Sequence, residues 1–233
     1  MKFTDRPIED KNCYASKNQR EILLKLASEH LIKDAFFLTG GTALSVFYLH
    51  HRASDDIDLF RLPPGSLKEL GIWIKRSWPK ESVIIRESAD FLSCLIEGVR
   101  VDLVIDPLSS KEARPYVGLE EAVSLQVDTL KNIISNKFCA AVSRMEPKDL
   151  VDVYFVLSKY KWVTLEDVYN TAREREVLFD DPPTAAYQIE ESLELLRGRP
   201  ELFPRMFVDF DRKDFFRFFE ECTKWIYNKV RAR

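Results

Sequence analysis

The sequence predicts an α/β amino-terminal part with a mixed sheet, residues 1–115, followed by an all-α helical bundle over 116–233. Three observations carry this. An apolar run ends in Gly40-Gly41, passes through a short helical stretch and reaches an acidic strand pattern at Asp56-Ile57-Asp58. Three more β-like runs follow before residue 107. Beyond Pro107 the strand alternation stops and long helical periodicities take over.

Each element has its own local reason. Ser16–Lys33 reads as one amphipathic helix, with Ile22, Leu23, Leu26, Ala27 and Leu31 as its apolar stripe and Ser16 as N-cap. Ala35–Thr39 is an apolar strand, Thr42–His50 a short helix and Asp55–Arg61 a second strand. Pro63-Pro64-Gly65 breaks the chain before a helix over Leu67–Trp78. Ser82–Glu87, Phe91–Glu97 and Val99–Asp106 read as strands, the last two as an antiparallel hairpin turning at Gly98. Helical patterns then cover Val127–Val142, Pro147–Tyr160, Leu165–Glu176, Thr184–Arg197 and Asp211–Val230, with Pro147 suited to a first turn.

Composition narrows the class. The chain has 233 residues, 45% of them hydrophobic, with 16 Phe and 4 Trp to fill a core, and a formal net charge of −3 that gives no global basic footprint for nucleic acid. No apolar run approaches the ~20 residues of a membrane span, and the polar start lacks a signal-peptide pattern, so cytoplasm is the default compartment. Cys13, Cys94, Cys139 and Cys222 are scattered and read as buried free thiols rather than zinc ligands, with too few histidines to complete a His-based site. The aromatic cluster Phe215, Phe216, Phe218, Phe219 and Trp225 has helical spacing and reads as core rather than a base-stacking platform. The basic tail Lys224, Lys229, Arg231 and Arg233 reads as a solvated helix end.

The chemistry concentrates in residues 36–60. Residues i and i+2 of a strand face one side, so Asp56 and Asp58 project together and repel unless a cation lies between them, and Mg²⁺ prefers such oxygen ligands. Gly40-Gly41 lets backbone approach a ligand closely, and the N–H groups opening the next helix can hold phosphate. Thr42 has two readings that coincide in space, a phosphate-binding hydroxyl and a helix cap. Arg52 is equally a phosphate contact or a salt-bridge partner of Asp55. Asp55 itself faces away, and His51 reads as packing.

A third acid is sought on a later strand. In Val99–Asp106, Val99, Val101, Leu103 and Ile105 share one face, which leaves Arg100, Asp102, Val104 and Asp106 on the other. A charge centred in an apolar strand needs a partner, so Asp102 reads as a metal ligand, with an ion pair to Arg100 as the alternative. Asp106, before Pro107, reads as a turn residue.

Gly40, Gly41, Thr42, Ala43 and Leu44, followed by His51, Arg52, Ser54, Asp56, Ile57, Asp58, Leu59 and Phe60, resemble in order and spacing the signature of the AbiEii-type nucleotidyltransferase toxins. The resemblance implies a nucleotidyltransferase core whose catalytic metal, Mg²⁺ or Mn²⁺, is held by Asp56, Asp58 and Asp102, with Gly40, Gly41, Thr42, Arg52 and Ser54 around the nucleotide. Lys137, Arg144, Lys148, Asp149 and Asp152 resemble a further family run more weakly. Spacing alone reads them as decoration of a helix face. The resemblance makes Lys137 a phosphate-neutralising cation and Asp149 its anchor or a catalytic acid, in a cleft closed by the helical half. It further implies NTP as substrate, a tRNA 3′ end as acceptor and a cognate antitoxin as partner. Protein or small-molecule acceptors, or a non-catalytic nucleotide-binding module, remain alternatives.

Overall fold

The computed structural model describes residues 6–109 and 111–229. It divides into two compact units, Met1–Asn132 and Ile133–Arg233.

The first unit opens with a 3₁₀ turn, Lys11–Cys13, capped by the Asp10 carboxylate. The helix expected over Ser16–Lys33 is two helices, α1 (Lys17–Ser28) and α2 (His30–Lys33). Glu29 adopts extended backbone between them and its carboxylate caps α2, which stops the first helix where periodicity alone would continue it. Ser16 caps α1 through the Gln19 N–H, and Ile22, Leu23, Leu26 and Ala27 are buried as the stripe predicts. Strand β1 (Phe37–Thr39) runs into α3 (Gly40–Leu44), which continues as a π-helical turn, Ser45–Leu49, and ends at His50. Then come β2 (Ile57–Arg61), α4 (Lys68–Ser77), β3 (Ser82–Glu87), β4 (Phe91–Ile96) and β5 (Val99–Ile105).

Two strands absent from the sequence reading complete this unit, β6 (Tyr116–Glu120) and β7 (Val123–Val127). The α/β part therefore extends beyond residue 115. All seven strands form one mixed sheet in the order β3-β4-β5-β2-β1-β7-β6. β1 is antiparallel to β2 and parallel to β7, and β2 is parallel to β5. The hairpin β4–β5 is antiparallel, as expected. Burial alternates along β2 and β5: Ile57, Leu59, Val101 and Leu103 face the core, while Asp58 and Asp102 on the opposite face are half-buried.

The remaining helices are α5 (Leu130–Ser143), α6 (Pro147–Lys159), α7 (Leu165–Arg173), α8 (Pro182–Gly198) and α9 (Arg212–Asn228). All but the first residues of α5 belong to the second unit. Its core is aromatic. Phe215 and Phe219 of α9 are fully buried, and Phe215 meets Tyr154 edge-on at 5.6 Å. These rings are packing rather than stacking surfaces for bases. Val230, Arg231 and Arg233 of the expected helix end lie outside the described residues. The four cysteines are free. No helix among the described residues is long and apolar enough to cross a membrane.

Candidate active site

The diglycine turn is fitted to two different neighbours. Gly40 has φ +69°, a left-handed conformation that costs other L-residues about 1–2 kcal/mol. Its α-carbon also faces Asp58 so closely that an added Cβ would lie 2.1 Å from Oδ2. A Cβ on Gly41 would meet Ser54 Oγ at 2.5 Å and an Arg52 guanidinium nitrogen at 3.0 Å. One glycine thus admits the acidic strand, and the other admits the loop that precedes it.

The carboxylates come from neighbouring strands. Asp58 on β2 is the register partner of Asp102 on β5, so the two side chains leave the sheet on one face. Asp56, just before β2, is two residues from Asp58 and also half-buried. None of the three is turned into the hydrophobic interior. Asp102 accepts bonds from the hydroxyl of Ser93, its register partner on β4, and from Arg100, whose two nitrogens reach the two carboxylate oxygens at 3.1 Å each. The ion pair considered for Arg100 is therefore present. Its hydrogen bond and charge interaction with Asp102, and then the fields of Asp56 and Asp58, hold the Arg100 pKa up. A cation at the edge of this site feels all three acids at once. Asp106 caps its turn, accepting from the Leu108 N–H and the Ser109 hydroxyl.

Several expected roles change. Thr42 lies within α3 rather than at its N-cap, which is Thr39. Its hydroxyl is fully buried, accepts from Gln19 Nε2 at 3.2 Å and donates to the Asp56 carbonyl. A hydroxyl with no solvent-facing surface cannot grip a phosphate. Its work is to tie α3 to the start of β2. Arg52 is 2% exposed, with one guanidinium nitrogen donating to the Ala53 carbonyl at 2.7 Å and another packed on Gly41. It braces the turn from behind. Ser54 is half-buried against Gly41, consistent with an orienting role. His51 is buried, as its packing reading requires.

In the second unit, Lys137 Nζ bonds Asp149 Oδ1 at 2.6 Å and approaches Asp152 Oδ2 at 3.1 Å. Asp152 is fully buried and Asp149 nearly so, and both sit on the α6 face turned toward the core. These are not solvated decorations of a helix start. One ammonium balances two buried carboxylates, an arrangement that needs all its members.

Three contributing residues escaped the sequence reading. Gln19, fully buried on the inner face of α1, donates to the carbonyls of Ser54 at 2.7 Å and Asp56 at 3.3 Å. A polar residue three before Ile22 on an apolar stripe was the available signal. Ser93 steadies Asp102. Asp128, just past β7, is fully buried and accepts from the Thr39 hydroxyl at 2.8 Å, from Arg114 at 2.8 Å and from Asn132. Nothing local marks it, because Thr39 and Arg114 reach it only through the fold.

The donor set suits a hard divalent cation. Asp56, Asp58 and Asp102, each half-buried, offer oxygen ligands without sulfur or imidazole, the donor type that Mg²⁺ or Mn²⁺ prefers and zinc does not. Beside them, the Gly40 turn and the opening N–H groups of α3 form a surface where a bulky side chain has no room.

Comparison with known proteins points the same way. The family described as "Nucleotidyl transferase AbiEii toxin, Type IV TA system" matches residues 21–223. An uncharacterized protein of Aquifex aeolicus (strain VF5), aq_aa25, is 30% identical over 155 residues, covering 63% of this chain and 68% of that protein. The crystal structure of JHP933 from Helicobacter pylori superposes with a TM-score of 0.53 at 18% identity, covering 93% of this chain and 95% of that one. A second H. pylori crystal structure, titled as a candidate nucleotidyltransferase, gives 0.52 at 18% identity, covering 96% and 98%. At these identities the two structures speak for the fold alone.

Proposed function

The chain belongs to the AbiEii nucleotidyltransferase toxin family, and from that premise we propose that it moves a nucleoside monophosphate from an NTP to an acceptor hydroxyl, with Asp56, Asp58 and Asp102 as the catalytic acids. The observation that carries this reading is the register pairing of Asp58 with Asp102 beside the Gly40 turn.

Each residue has a physical task. Asp56, Asp58 and Asp102 would hold Mg²⁺, or Mn²⁺ in its place. The cation supplies charge neutralisation and polarises the reacting phosphate when bound. Gly40, half-buried, is where the N–H groups opening α3 would take phosphate oxygens, and buried Gly41 lets the loop before β2 pack beneath that turn. Thr42, Arg52, Ser54 and Gln19 hold that turn against the acidic strand. Ser93 orients Asp102 by a hydrogen bond to its carboxylate. Lys137, with Asp149 and Asp152, is kept as a nucleotide contact on the family resemblance alone, since its ammonium is already bonded to both carboxylates.

We further propose that the acceptor is a tRNA 3′ end, that the activity makes the chain the toxin of a toxin–antitoxin pair restrained by a cognate antitoxin, and that it operates in the cytoplasm, where NTPs and tRNA are found. The family's description as a toxin of a type IV system supports the antitoxin partner. The test is a panel of isotope-labelled NTPs offered with tRNA, protein and small-molecule acceptors. Label should reach tRNA with the parent protein, vanish with Asp58→Ala and persist with His51→Ala. Transfer that survives Asp58→Ala removes the assignment of the site, and label on another acceptor class removes the tRNA reading alone.

A further inference from the structure

We propose that Asp10, Cys13 and His50 form a separate metal site for a late first-row divalent cation such as Zn²⁺, which clips the amino-terminal segment to the helical stretch that follows the diglycine turn. The sequence reading treated Cys13 as an inert thiol and found no histidine for it. Folding supplies one. A carboxylate oxygen of Asp10, the Cys13 sulfur and an imidazole nitrogen of His50 all lie within 4.8 Å of one another. Around tetrahedral zinc, bonds of about 2.0–2.3 Å place ligand atoms roughly 3.3–3.8 Å apart, so the donors would draw in from their present spacing on metal entry, with water in the fourth position.

The scaffold under these donors is held in place. Asp10 and Cys13 are three residues apart across a single 3₁₀ turn, which puts them on one face. The Asp10 carboxylate is oriented by the Asn12 backbone and side-chain N–H groups, both 3.0 Å from Oδ1. The segment is tied to the π-helical turn by Ile8 N–H to the Phe47 carbonyl and Asp10 N–H to the Val46 carbonyl, both 2.9 Å. His50 ends that turn with φ 56°, a conformation uncommon outside glycine and enriched at ligand clamps.

Donor chemistry selects the metal. Thiolate, imidazole and carboxylate together suit zinc and its neighbours, not Mg²⁺. Cys13 is 4% exposed, and its sulfur lies beside the Asp10 carboxylate. Metal entry breaks the S–H bond, forms the S–metal bond and releases the proton to solvent.

The test uses the full chain carrying Asp56→Asn and Asp58→Asn, so that the acidic site cannot contribute, and Co²⁺ as a spectroscopic substitute for zinc. We expect a thiolate-to-cobalt absorption band, displaced by Zn²⁺, and a rise in thermal midpoint with Zn²⁺. Adding Cys13→Ser should abolish the band, and His50→Asn, which keeps a residue tolerant of this backbone, should weaken Co²⁺ binding at least about tenfold. Absence of the band in the parent background overturns the proposal, whether or not the variants fold. A band that survives Cys13→Ser also overturns it. Label transfer by the protein with Asp56 and Asp58 intact reports separately on the catalytic assignment.

Discussion

A methyl group on Gly40 would sit 2.1 Å from the Asp58 carboxylate, so the turn and the acidic strand are in direct contact. Gly40→Ala therefore carries two costs, a left-handed backbone unfavourable by about 1–2 kcal/mol and a displaced Asp58. We expect a small fall in thermal midpoint and a loss of label transfer of about 10²-fold or more. Loss of stability with full activity would show that Asp58 does not need its present position.

Asp58→Asn and Asp102→Asn keep shape and remove charge. Each should lower transfer about 10³-fold while leaving circular dichroism and thermal midpoint close to the parent. The double variant should be little worse than either single one, because residues acting on one cation do not contribute independently. Additive losses measured in the same assay would place them in separate roles.

On the proposed reading, Arg100 would compete with the metal for Asp102, to which it is ion-paired. The Arg100 side chain is 49% exposed, so Arg100→Ala should change stability by less than about 1 kcal/mol. Removing this resident cation should lower the Mg²⁺ concentration that gives half-maximal activity, and should tighten Mn²⁺ binding measured by electron paramagnetic resonance. A raised metal requirement would mean that Arg100 serves Asp102 by orienting it.

Asp128 and Arg114 are a buried pair, with side chains 0% and 5% exposed. Asp128→Ala removes the carboxylate of a buried ion pair and releases the Thr39 hydroxyl, which should cost about 3–5 kcal/mol in denaturant unfolding. Combining it with Arg114→Met should recover part of that loss, since the buried guanidinium no longer has to do without its nearest carboxylate.

Lys137→Met leaves Asp149 and Asp152 buried without their cation. It should cost about 3–5 kcal/mol in the same unfolding measurement and abolish transfer. Asp149→Asn and Asp152→Asn then separate the two effects. If Asp149 acts in the reaction, it should cost more in activity than in stability, whereas fully buried Asp152 should cost mainly stability.

Legibility followed the range of the interactions. Gly40-Gly41 and Asp56-Ile57-Asp58 were readable because a strand, a glycine turn and a two-residue period are local patterns. The Ser16 cap and the α1 stripe were readable for the same reason. Glu29 hid a helix break because its side chain caps the next helix while its residue type suits a helix interior. β6 and β7 form a local antiparallel hairpin whose outer strand carries mixed burial without a clean alternation, and only the parallel pairing of β7 with β1 joins it to the sheet. Thr42 and Arg52 matched the motif in identity but are buried supports, a distinction that residue type cannot express.

Residue order alone determined which acids could share a strand face and which turn could lie against them, because both depend on backbone geometry over a few residues. Only the tertiary structure decided that Asp102 stands in register with Asp58, that Asp128 lies beneath Thr39, and that His50 meets Cys13. Those neighbours come from segments far apart along the chain, and their meeting is set by strand order and core packing, which no local pattern encodes.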